Sequence, residues 1–187
     1  LLIDYLLADN KYNLINKVKG QNIYSYNGIQ DVNIMFENIW NQLISLGIAS
    51  EQLKDIQNKF IYKYSPFKDL SANQIEVCNE ILQDMLYSSQ SSNLVEGDPG
   101  TGKTIVLLRI LYELIYDSET GKNRGISCDD IVLIVPQSHS LGLYKDLIRK
   151  VGLNGIFVLS PSNFIKDAKV RDRKFKYVFV DESHRLK

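Results

Sequence analysis

The 187-residue sequence predicts an α/β fold, a parallel sheet flanked by helices, behind an all-helical N-terminal region. Two observations carry that expectation. From Leu94 onward short apolar runs alternate with amphipathic stretches of helical length, and strand–helix alternation builds parallel sheets. Before Ser88 the apolar residues recur instead at three and four positions, which is the period of a helix. The boundary falls between Tyr64 and Ser71, giving a helical accessory region over 1–65 and an α/β domain over 66–187.

Taken in order, the opening LLIDYLL is apolar but holds Asp4 and has no basic stretch before it, so it is not a secretory signal. Val32, Met35, Phe36, Ile39, Trp40, Leu43 and Ile44 share one helical face, and Gly47 marks its stop. Ser50 is suited to cap a second helix bearing Leu53, Ile56, Phe60 and Tyr64, ended by Pro66. Ser71 opens a third, with Ile75, Cys78, Leu82 and Met85 on one face, and Ser71 with Gln74 has the S-x-x-Q spacing of a capping box. SSQSSN, Ser88 to Asn93, is a polar linker. Leu94–Val95, Ile131–Val135, Ile156–Leu159 and Tyr177–Val180 then read as buried parallel strands. Helices fit between them at Lys103–Tyr116, Leu141–Val151 and Ser162–Ala168.

Composition narrows the function. At 44% apolar and 24% charged residues the chain is an ordinary globular sequence. No apolar run approaches the roughly 18 residues that a membrane span needs, so no membrane partner is expected. Cys78 and Cys128 stand too far apart for a metal or disulfide framework and read as idle thiols of a reducing cytosol, hence a cytoplasmic chain. Net charge is zero but unevenly spread. Residues 1–90 carry 7 Lys and no Arg against 10 acidic residues, whereas residues 151–187 carry 8 basic and 4 acidic ones. The basic excess lies in Lys166, Lys169, Arg171, Arg173, Lys174 and Lys176, a local patch rather than the whole-chain basic signature of a nucleic-acid binder.

The stretch with the most chemistry is GDPGTGKT, Gly97 to Thr104, which matches G-x-x-x-x-G-K-[ST]. Gly97, Gly100 and Gly102 permit the dihedrals that turn successive N–H groups inward, Pro99 stiffens the turn, and Asp98 and Thr101 complete it. Those N–H groups and the start of the following helix attract a polyphosphate. Lys103 adds a charge for the β- and γ-phosphates, and the Thr104 hydroxyl can ligate Mg²⁺. KYVFVDESH supplies the complement. Its strand delivers Asp181 to the carboxyl end of the sheet, where ligands bind in open α/β folds. Asp181 is expected to hold Mg²⁺ through a water, and Glu182, one step on, to orient and deprotonate an attacking water. A water-activating carboxylate separates a hydrolase from a small-molecule kinase.

The order Gln74, GDPGTGKT, VPQSHS, LSPSNF and VDESH resembles the first RecA-like domain of superfamily 1 and 2 helicases. It is most similar to P-loop proteins with a Schlafen-like DNA/RNA helicase domain, where GxPGTGKT is followed by a VDEAHR-type Walker B; here Ser183 replaces the Ala. The resemblance covers roughly Leu70 to Lys187. It implies a P-loop NTPase that binds and hydrolyses ATP with Mg²⁺, as the motor domain of a DNA/RNA helicase or translocase. It also implies that Gln74 reads the adenine edge, since an amide offers the donor and acceptor that adenine needs. The capping box with Ser71 explains Gln74 equally, and the two roles can coexist. Loops facing nucleic acid fall at Val135–Ser140 and Leu159–Phe164, where helix capping by Ser138, Ser140, Ser160 or Ser162 is the alternative. Pro161 suits a first helical turn. The resemblance gives His184 a role linking nucleotide state to the nucleic acid or a second domain, and Arg185 an acidic partner nearby. VRDRKFKY, Val170 to Tyr177, is basic with aromatics between, although a charge run is more often a solvated face. Tyr12, Tyr24, Tyr26, Tyr62 and Tyr64 could stack on bases but more often fill a helical core.

The chain begins without Met and ends at DESHRLK, so it is expected to be a piece of a longer protein, with a second RecA-like domain beyond Lys187. Motors of this kind complete their site with an arginine from such a domain or from a neighbouring subunit, so weak hydrolysis is expected of these residues alone. Two alternatives stand beside the motor. One is a nucleotide-operated switch of the defence or signalling kind without unwinding, which the zero net charge favours. The other is a module whose helical region docks a partner.

Overall fold

The computed structural model describes residues 2–14, 32–117, 120–167, 170 and 173–186. Tyr24, Tyr26, Ala168, Lys169, Arg171 and Lys187 lie outside the described residues. The N-terminal part is helical: α1 (Leu2–Asp9), α2 (Val32–Ser45), α3 (Leu53–Asn58), α4 (Phe60–Lys63) and α5 (Ala72–Tyr87). There follow α6 (Lys103–Ile115), β1 (Ile131–Ile134), α7 (Leu141–Lys150), β2 (Phe157–Leu159), α8 (Pro161–Lys166) and β3 (Tyr177–Val180). The strands form a parallel sheet in the order β2-β1-β3, flanked by helices in a RecA-like α/β arrangement.

The sheet follows from its apolar content. Ile131, Val132 and Leu133 are fully buried and pair on both sides, Val132 with Phe157 and Val178, Leu133 with Val158 and Phe179. A strand buried this way must place its N–H and C=O groups in ladders, and two parallel neighbours supply them. The fourth expected strand does not form. Leu94 is 73% exposed and Val95 38%, and neither lies in a strand. Two apolar residues, both largely open to solvent, bury too little to fix an extended segment against the sheet.

Other expectations shift for local reasons. The helix expected across Leu53–Tyr64 is two, because Lys59 is extended (φ −71°, ψ 143°). Its ammonium reaches the Ala8 carbonyl at 2.9 Å and Glu51 Oε1 at 2.5 Å, tertiary contacts that a continuous helix would turn away. Ser50 caps neither piece; Gln52 precedes α3 without a side-chain cap. The Ser50 amide and hydroxyl go instead to the buried Asp9 carboxylate, at 3.0 Å each, together with the Glu51 amide at 2.7 Å. On α2 the apolar stripe divides. Phe36, Trp40, Leu43 and Ile44 join the core, whereas Met35 and Ile39 are exposed. The α5 start is as expected: Ser71 Oγ accepts from the Gln74 N–H and Gln74 Oε1 from the Ser71 N–H.

One buried cluster runs from Tyr5, Trp40 and Ile56 through Leu111 and Leu114 to Leu133, Leu147 and Phe179. Tyr5 lies at its N-terminal end, its ring 4.5 Å from Tyr62 and 4.9 Å from Phe36. Tyr62 and Tyr64 therefore fill the helical core, as the blander expectation held, while Tyr12 is 55% exposed. Both cysteines are free thiols. Burial, with the Glu113 carboxylate adding to it, pushes the Cys78 thiol up to about 11, so it stays protonated and unreactive at neutral pH. Among the described residues no helix is long and apolar enough to cross a membrane.

Asp9 joins α1 to the turn before α3 through four hydrogen bonds. Asp9→Ala leaves the part-buried Ser50 and Glu51 amides without their acceptor and is expected to lower unfolding free energy by about 1–2 kcal/mol. Urea titration followed by Trp40 fluorescence measures this, because the Trp40 indole donates to the Glu51 carbonyl at 2.9 Å.

Candidate functional site

Parallel pairing brings the ends of β1, β2 and β3 to one edge of the sheet. The ladders continue one residue beyond the strands: the Val135 N–H donates to the Leu159 carbonyl at 2.9 Å, and the Asp181 N–H to that of Ile134 at 3.1 Å. The segments 135–140, 160–164 and 181–185 therefore leave the sheet side by side.

The glycine loop Gly97–Thr104 meets this edge through its helix. Gly100 and Gly102 have φ of +83° and +84°, the left-handed conformation that glycine adopts without penalty. Gly102 precedes α6, and no side chain caps that helix; the Ile105 N–H returns to the Gly102 carbonyl at 2.9 Å, and those of Lys103 and Thr104 are left for an anion. Lys103 Nζ turns back onto the loop, donating to the Gly97 and Asp98 carbonyls at 2.7 and 2.9 Å. The Thr101 hydroxyl closes the turn on the Asp98 carbonyl at 2.8 Å. Gln74 reaches the loop as well, its Nε2 donating to the Thr101 carbonyl at 2.9 Å while its Oε1 serves the capping box. One amide thus braces both helix and loop, a contact that the capping-box spacing did not reveal.

Thr104, in the first turn of α6, faces Asp181, with Oγ1 3.4 Å from Asp181 Oδ2. Asp181 is 9% exposed, and its Oδ1 accepts from the Glu182 N–H at 3.1 Å. Its Oδ2 also accepts from the Tyr144 hydroxyl. Burial first, then the bond to Asp181, raises the phenol's pKa well above its ordinary value, so Tyr144 stays a donor. No sequence signal marked Tyr144, which at helical spacing with Leu147 and Ile148 reads as core. A hydroxyl and a carboxylate at this distance suit Mg²⁺, which binds through one or two protein oxygens and completes its shell with waters and phosphate. The free N–H groups, the lysine and this oxygen pair together fit a Mg²⁺–nucleotide.

Glu182 adopts the left-handed conformation, φ 52° and ψ 47°. For a residue with a Cβ this costs about 1–2 kcal/mol. Its Oε2 lies 3.2 Å from His184 Nε2 and 3.7 Å from Arg185 Nε, so Arg185 has the acidic neighbour expected of it.

The remaining candidates divide. Ser160 caps α8, its hydroxyl accepting from the Asn163 N–H at 3.2 Å, and Pro161 occupies the first turn. Ser138–Ser140 form a 3₁₀ turn leading into α7, and neither serine caps that helix with its side chain. In the basic segment Arg173 is engaged by the fold. It donates to the Asp129 carbonyl at 2.8 Å and lies over the Phe157 and Phe175 rings, at 4.8 and 5.7 Å. These contacts fix its guanidinium, which stays exposed.

The Gln74 bridge is testable by stability and exchange. Gln74→Ala is expected to cost about 1 kcal/mol in urea and to quicken amide exchange across the loop. Gln74→Glu keeps the capping acceptor but loses the donor to Thr101, so it should quicken exchange there at a smaller cost in stability.

Comparison with known proteins agrees with this geometry. Residues 90–187 match the family described as Schlafen group 3, DNA/RNA helicase domain. The ATP-dependent DNA helicase RecG of Aquifex aeolicus (strain VF5) is 24% identical over 98% of this chain, which spans 28% of that relative's length. No solved structure matches. The family match takes in the glycine loop, all three strands and the Asp181–Glu182 pair, more than half of the sequence. The chain belongs to the Schlafen group 3 DNA/RNA helicase domain family.

Proposed function

We propose that residues 66–187 are an ATP-binding and ATP-hydrolysing motor domain of a DNA/RNA helicase or translocase, with residues 1–65 as a helical accessory region. The observation that carries this is the meeting of Thr104 and Asp181 at 3.4 Å, at the sheet edge beside an uncapped, lysine-bearing glycine loop. Residues Gly97, Asp98, Pro99, Gly100, Thr101 and Gly102 form the cradle; its free N–H groups face phosphate, while Pro99 has none and the Thr101 N–H goes to the Asp98 carbonyl at 3.3 Å. Lys103 exchanges two neutral carbonyls for phosphate oxygens, a gain in charge pairing on binding. Thr104 and Asp181 hold Mg²⁺, and Gln74 contacts the adenine edge. When bound, Mg²⁺–ATP supplies the phosphoanhydride and the charge that neutralises its transfer. Glu182 orients a water and takes its proton on a carboxylate oxygen. The loops 135–140 and 160–164 leave the same edge and are the surfaces offered to a nucleic-acid backbone, and His184 beside Glu182 links the two. A cytoplasmic location suits this activity.

A nucleotide-operated switch without unwinding is the second reading. The observation favouring it is the zero net charge of the sequence, with Arg173 held against the Asp129 carbonyl and the Phe157 and Phe175 rings.

ATPase rates of the full-length protein, with and without single-stranded DNA or RNA, decide between them. A motor is stimulated at least tenfold; a switch is not stimulated and shows no salt-sensitive nucleic-acid binding. Lys103→Ala is expected to abolish ATP binding. Glu182→Gln should retain binding and lower turnover by at least a hundredfold. The 187 residues alone should bind Mg²⁺–ATP but turn it over slowly, for want of an arginine from a second domain. Undiminished turnover by them at high dilution would refute this last point.

A further inference from the structure

Asp181 shares its outer oxygen with a residue that the helicase reading does not use. The torsion that sets the plane of an aspartate carboxylate is soft, so bonds at both oxygens are needed to fix it. Here the Glu182 N–H holds Oδ1 at 3.1 Å, and the Tyr144 hydroxyl holds Oδ2, the oxygen that faces Thr104. Tyr144 is 4% exposed, so water does not compete for this bond. A phenol is a neutral donor. It orients the carboxylate while leaving its negative charge available to a cation, as a lysine or arginine would not.

The phenol is itself braced. The Phe60 ring meets the Tyr144 ring edge-on, with centroids 5.3 Å apart, and Tyr64 flanks Phe60 at 4.5 Å. Phe60 opens α4, which contacts both α1 and α7. A short path of contacts therefore runs from the N-terminal helices to the carboxylate.

We propose that Tyr144 is a positioning residue for Asp181, holding its carboxylate toward Thr104 for a divalent cation, and that the N-terminal helical layer fixes Tyr144 through Phe60. The proposal rests on the reading of Asp181 as a metal-binding residue. Full-length protein carrying ADP is titrated with Mn²⁺ and followed by electron paramagnetic resonance, and ADP affinity is measured separately in EDTA. Tyr144→Phe keeps the ring and removes only the hydroxyl. It should weaken Mn²⁺ binding about tenfold and leave ADP affinity in EDTA unchanged. Phe60→Leu should weaken Mn²⁺ binding by a smaller factor in the same direction. Unchanged or tighter Mn²⁺ binding by Tyr144→Phe, alongside a clear loss in Asp181→Asn, would overturn the positioning role and leave the helicase reading intact. Equal loss of ADP affinity in EDTA would make Tyr144 merely structural and also overturn it. Unchanged Mn²⁺ binding in Asp181→Asn would remove the metal reading itself, and the proposal with it.

Discussion

The candidate site depends on β1 having a parallel partner on each edge. Three of its four residues are fully buried, so its polar backbone must be satisfied within the sheet. Because both partners run in the same direction as β1, all three chain exits share one side. Residues far apart in sequence, Val135, Ser160 and Asp181, thus become neighbours. The ladder bonds that continue past the strands carry this alignment into the loops themselves.

Much of this was legible in the sequence. The apolar runs of β1, β2 and β3 and the helices between them fall within a residue or two of their expected places, most of them because they bury an apolar face, and α8 because Ser160 and Pro161 start it. The closeness of the glycine loop's helix to Asp181 was foreshadowed for another reason: the two motifs are specific in residue type and spacing. What was hidden depends on partners. Leu94–Val95 carries the composition of a strand but is too short and too exposed to hold one. The α3–α4 break is invisible in a continuous helical period and arises from what Lys59 reaches. Ser50 has the chemistry of a cap but lies against Asp9. Tyr144 fills a core position with its ring and acts through the one atom that periodicity ignores.

The N-terminal helices share the buried cluster of the sheet, and their attachments are polar as well as apolar. Arg109 on α6 donates to the Pro66 carbonyl at 2.9 Å and pairs with Glu113, both side chains largely buried. Removing either partner of such a pair leaves a charge out of water, which costs more than the pair contributes when intact. The connection between the helical region and α6 is therefore intolerant of single changes at Arg109 or Glu113.

Glu182 has a consequence for how this chain can vary. Its backbone conformation is one that glycine or asparagine would occupy at lower cost, so the fold alone disfavours glutamate there. Under the proposed chemistry, the same position must carry a carboxylate. Folding and turnover then pull the position in opposite directions. A lineage that lost the need to hydrolyse nucleotide would drift there toward glycine or asparagine and gain stability by doing so. The residue at 182 would thus serve, across relatives, as a marker of which ones still run the reaction.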